Sequence, residues 1–138
     1  MLATLLICLG AGIILALGVV HLFYTFVGTK LLPRYPALRD AMQKAHPQIT
    51  RQTTMWRAWV GFNASHSLGA ILFGLVYIHL AVWHAALLFG SPFLCGLGVL
   101  VLLSYLWLGW RYWFSVPFRG IALATLMFIG GVTLGGFG

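Results

Sequence analysis

Five histidines, two cysteines and one acid carry nearly all the reactive side chains of this 138-residue chain. The acid is Asp40, and there is no glutamate. That excludes glycosidase-type carboxylate pairs and multi-carboxylate calcium sites. An H-E-x-x-H zinc site is excluded for the same reason. Ser104 and His66 would be a nucleophile and a base, but no G-x-S-x-G turn presents the serine. There is no C-x-x-C redox motif, and no phosphate-binding glycine loop has a strand before it. What remains is imidazole with amide and hydroxyl groups, a chemistry suited to binding more than to bond-breaking.

The elements that position these groups follow from where charge is missing. Hydrophobic residues make up 62% and charged ones 7%, against roughly a quarter charged in soluble domains. A water-soluble globule is excluded. Residues 1–29, 58–110 and 120–138 hold no Asp, Glu, Lys or Arg. A membrane-spanning helix needs about 20 apolar residues. The outer stretches are one span each, and the middle one is two spans with a turn at Gly90-Ser91-Pro92. Ser91 can cap the next helix, with Pro92 at its first position. Ser115 and Pro117 give a similar start. The expected architecture is all-α: a four-helix transmembrane bundle forming one integral membrane domain over 1–138. Its spans lie at about 3–28, 56–84, 92–112 and 117–136. Residues 1–29 lack the basic start and A-x-A site of a cleaved signal peptide, so they read as a retained helix.

All eight Lys/Arg lie in or beside the first and third connections. The positive-inside rule then places both connections in the cytoplasm of an inner-membrane protein, with both termini and the second connection outside. Basic character thus reflects the lipid bilayer, not nucleic acid. The 30–55 connection is the only long polar segment. Pro36 can start a helix there and Pro47 can stop one. Leu38, Ala41, Met42 and Ala45 share a face opposite Arg39, Asp40, Gln43 and Lys44, the pattern of a short amphipathic interfacial helix. Thr50, Thr53 and Thr54 are candidate caps for the second span, and His46 reads as solvated.

Depth along the spans singles out one level. His21 lies roughly 12 Å above the basic end of the first span, and His66 roughly 15 Å into the second, at 1.5 Å per residue. Thr25, Asn63, Ser67, Ser104 and Thr125 fall near the same depth. Lipid cannot satisfy such groups, so they are expected to face inward and meet. The candidate ligand-binding set is His21, Thr25, Asn63, His66, Ser67 and Ser104. Three occupants stay open: a quinone or other lipophilic molecule; a haem or related macrocycle held by His21 and His66; or none, the cluster serving helix packing alone. No metal site is expected. His79 and His84 are five apart, about 140° around a helix, a poor chelating pair. Cys8 and Cys95 sit near one end of their spans, where a disulfide and two packed thiols both remain open. Gly131 and Gly135, with Ala70 and Gly74, are small-residue spacings that allow close helix approach, within the chain or in a homo-oligomer.

The run Gly61-Phe62-Asn63-x-Ser65-His66-Ser67-Leu68-Gly69, with Trp56 before it and His21 and Gly28-Thr29 on the first span, resembles a family of uncharacterised bacterial four-helix membrane proteins. These are DoxX-like in size and topology. The resemblance implies a four-span inner-membrane protein without an established activity. The DoxX group is connected with redox subunits, but no redox motif stands here and that role is not carried over. The expected function is non-enzymatic binding of a lipophilic molecule or cofactor in the His/Asn/Ser pocket. The alternative is an accessory subunit of a larger membrane complex, and a membrane enzyme ranks third.

Overall fold

The computed structural model describes residues 1–136, and their regular structure is all helical, with no strand among them. Four helices are long and apolar enough to cross a membrane: α1 (Leu2–Phe26), α3 (Met55–Trp83), α5 (Pro92–Tyr112) and α6 (Ser115–Gly136). Two short helices, α2 (Pro36–Lys44) and α4 (Ala85–Phe89), lie in the connections. Only 22–33% of the most apolar stretch of each long helix is buried. Side chains such as Leu72, Leu100, Trp110 and Leu126 are more than 60% exposed. Apolar faces this open belong in lipid, and the chain is a multi-pass membrane protein.

Helix ends follow local chemistry. Ser91 accepts a hydrogen bond from Leu94 N–H (3.3 Å) and caps α5, with Pro92 at its start, as its sequence predicts. Thr54 caps α3 by accepting from Arg57 N–H (3.3 Å). α1 stops at Phe26, two residues early, and Gly28 follows in the left-handed region at φ 83°. α6 begins at Ser115, two residues before its expected start. Trp113 ends α5 with an extended backbone, so the chain turns within two residues and Ser115 is already helical. Pro117 then lies in the first turn, where no N–H is needed.

The chain forms two compact units: Met1–Leu17 with the chain from Ala70 on, and Gly18–Gly69. The first unit packs the first two-thirds of α1, the end of α3, and α4, α5 and α6 on one core. Ile7, Ala11, Ile14, Phe73, Tyr77, Leu88, Leu102, Ala124 and Phe128 are among its buried members. Phe73, Tyr77 and Phe128 form an aromatic knot, with Tyr77 and Phe128 edge-to-face at 5.0 Å. The Tyr77 hydroxyl donates to the Leu94 carbonyl (2.8 Å), which ties α3 to the first turn of α5. Cys8 and Cys95 are free thiols, and Cys95 donates to the Leu88 carbonyl (3.2 Å).

Glycines set how closely these helices approach. A Cβ at Gly10 would lie 2.7 Å from the Ala124 carbonyl oxygen, so α1 and α6 meet backbone to backbone there. At Gly131 it would meet Ile7 and the Ala3 carbonyl, and at Gly74 the Ala11 carbonyl and Leu15. The G-x-x-x-G pair of α6 is therefore used within the chain, Gly135 receiving the ring of Phe89 from α4. Gly12, two residues on along α1, has open space beyond it. Gly10→Leu should cost about 1–3 kcal/mol, and Gly12→Leu less than about 0.5 kcal/mol. Thermal unfolding of both variants in detergent measures the difference.

Candidate functional site

The polar cluster of the first two spans lies in the second unit. There α1 contributes its last nine residues and α3 its first fifteen. Asn63 is the centre. Its amide Nδ2 donates to the Trp59 carbonyl one turn back (2.8 Å), which fixes its orientation. Its Oδ1 therefore faces His21 Nε2 at 2.9 Å. An amide oxygen only accepts, so His21 donates through Nε2 and its proton sits there. Thr25, one turn along α1, donates to the His21 carbonyl (2.8 Å), and Ser67 to the Asn63 carbonyl (2.8 Å). The His21 and His66 rings pack edge to face, centroids 5.5 Å apart and planes at 88°.

Five of the six predicted ligand-binding residues, His21, Thr25, Asn63, His66 and Ser67, thus fall in one unit, on two facing helices. His21, Asn63 and His66 are half-buried and Ser67 is fully buried. Ser104 lies in the other unit. It is exposed, with its hydroxyl donated to the Leu100 carbonyl of its own helix (2.8 Å). The expectation that it faces inward is corrected: depth fixes a level along a helix but not a direction around it. Thr125 is buried as expected, and donates to Ile121 of its own helix (2.7 Å). Among the described residues, no side-chain polar atom is buried without a partner.

A cleft opens beside Asn63. Tyr24, Thr25, Gly28, Trp56, Trp59 and Val60 line it. Its cavity is about 20 Å³, room for one water. Within the same unit the 45–55 loop is closed on itself. Met55 N–H donates to the Ala45 carbonyl (2.9 Å) and His46 Nδ1 to the Thr53 carbonyl (2.7 Å). His46 is exposed as predicted, with this carbonyl as partner. Arg39 of α2 stacks on Trp56 at 5.2 Å, which ties α2 to the start of α3. α2 buries none of its residues, and Leu38 remains 51% exposed.

One pairing lies outside what the sequence foretold. α3 ends at Trp83, and His84 leaves helical geometry at φ −134°, ψ 41°. The break turns the His84 ring to within 5.2 Å of His79, which also stacks on Trp83. The 140° separation holds only for an unbroken helix. No group of three or more metal-ligating side chains forms among the described residues.

No protein-family model, curated protein or solved structure matches the chain. The class is set by the fold alone: a multi-pass, all-helical membrane protein with a histidine–asparagine pair between two of its spans. Removing Asn63 should leave the His21 N–H unpaired. A double-mutant cycle of His21→Phe and Asn63→Leu should give a coupling of about 1 kcal/mol. Equilibrium unfolding of the four proteins in mixed micelles measures it.

Proposed function

We propose that this chain is a small, non-enzymatic inner-membrane protein that holds the polar end of a lipophilic molecule at the cleft beside Asn63. The observation that carries the reading is unspent hydrogen-bonding capacity at an aromatic mouth. Asn63 has a second N–H beyond the one given to Trp59, and its Oδ1 has a second lone pair beyond the one given to His21. Thr25 Oγ1 donates once and can still accept. With one water's room between them, these groups suit a single carbonyl or hydroxyl, as on a quinone. The body of such a molecule would lie along Trp59 and Val60. A macrocycle ligated by both histidines would need its plane between their rings, and those rings are in edge contact. The reading therefore does not include haem.

The second reading is an accessory subunit of a larger membrane complex, the cluster acting only as a clamp between α1 and α3. It is favoured by the pairing of every buried side-chain polar atom among the described residues. Mass spectrometry of small molecules extracted from the purified protein separates the two. The binding reading expects a stoichiometric amphiphile, lost in Asn63→Leu and in the cleft-filling Val60→Trp. Protein that carries no amphiphile yet migrates with stoichiometric partner chains sinks the binding reading.

The orientation belongs to the same proposal. Lys30, Arg34, Arg39, Lys44, Arg51 and Arg57 lie in or beside the α1–α3 connection, with Arg111 and Arg119 beside the α5–α6 turn. Both faces would then be cytoplasmic, with the termini and α4 outside. α2 would lie on the cytoplasmic interface, its uncovered apolar face in lipid. Gln48 and Ala86 are both exposed and lie on opposite predicted sides. A membrane-impermeant thiol reagent applied to intact spheroplasts should label Ala86→Cys and spare Gln48→Cys until the membrane is permeabilised.

A further inference from the structure

An apolar groove of about 470 Å³ runs between α5 and α6 in the first unit. Leu103, Trp107 and Trp110 form its α5 wall, and Phe118, Ala122 and Leu126 its α6 wall. Its volume falls in the range of small-molecule sites, yet it is an open trough. Trp107, Trp110 and Leu126 are 56%, 70% and 72% exposed. In a bilayer such a trough is filled from the lipid side.

Charge at one end of the groove says by what. Arg111 follows Trp107 by four residues, and Arg119 precedes Ala122 by three and Leu126 by seven, so both cations continue the groove-lining faces. Both are exposed. The Arg111 guanidinium lies over the Tyr112 ring, 5.4 Å from its centroid, a contact that leaves its charge in place. No acid stands in α5, in α6 or between them to neutralise either one. Two indoles lie just above the cations, at the level where tryptophan meets the ester region of a bilayer.

We infer that this groove is a binding site for an anionic phospholipid, with an acyl chain in the α5–α6 trough and its phosphate held by Arg111 and Arg119. A zwitterionic lipid fits the trough equally well but carries its own cation beside the phosphate. The two arginines therefore select for net negative charge. The inference is independent of the cleft beside Asn63.

The test uses the full chain in nanodiscs of an equal mixture of phosphatidylcholine and phosphatidylglycerol, with retained lipid counted by native mass spectrometry after mild detergent release. The wild-type protein should retain phosphatidylglycerol in preference to phosphatidylcholine. Arg111→Ala/Arg119→Ala should lower that preference about tenfold or more. Ala122→Phe, which fills the trough and leaves the charges, should release the lipid as well. Lys30→Ala/Arg34→Ala removes two cations elsewhere and should change nothing. Arg111→Lys/Arg119→Lys keeps the charge and should restore most of the preference, which guards against misfolding of the alanine pair. An equal loss in the Lys30/Arg34 variant would mean diffuse headgroup attraction and would overturn the site. So would unchanged retention in the Arg111/Arg119 variant, or a second copy of the chain seated in place of lipid.

Discussion

Water is missing where most of this chain lives, and its polar groups must be satisfied by the protein itself. Nearly every hydroxyl in the spans meets that demand locally. Thr25, Ser65, Ser67, Ser104, Thr125 and Thr133 each donate to a carbonyl three or four residues back on their own helix. Longer side chains reach farther. The His21 imidazole reaches across to Asn63, and the Tyr77 phenol to Leu94. These long-range bonds stitch spans together, one in each compact unit.

Much of this was legible in the residues before any coordinates. Gaps in charge are a direct physical signal, because a single Lys or Arg at mid-membrane is costly. Hence the four spans were readable to within two residues, and so was the Ser91 cap. His21, Asn63 and His66 were readable as one polar level because helices adjacent in sequence were aligned by depth, but the particular bond from His21 to Asn63 was not. Azimuth was not readable. A span that is apolar all round has no periodic stripe to say which side faces in, and so Ser104 was assigned to the interior when it lies outside. The His84 break was also hidden, since neither proline nor glycine marks it. With that break unseen, the contact of His79 with His84 and the seating of Phe89 on Gly135 had no visible cause.

Aromatic residues are used in two ways. In the core of the first unit, Phe73, Tyr77 and Phe128 are almost fully covered, and Gly98 makes room for the Phe128 ring and the edge of Tyr77. Near the basic connections, Trp59, Trp107, Trp110 and Tyr112 remain open, beside cations. Buried aromatics there fill volume against one another. Open ones pair an apolar plate with a polar rim, which is the demand of a boundary between hydrocarbon and water.

The seams of α1 also bear on how the protein is made. α1 leaves the ribosome first, yet the residues that fit its narrow faces arrive late: Gly74 on α3, then Ala124 and Gly131 on α6. Until the last helix is inserted, the Gly10 notch has only acyl chains against it. Assembly thus closes from the C-terminal side, and a nascent chain halted before α6 holds α1 to α5 without the element that locks them.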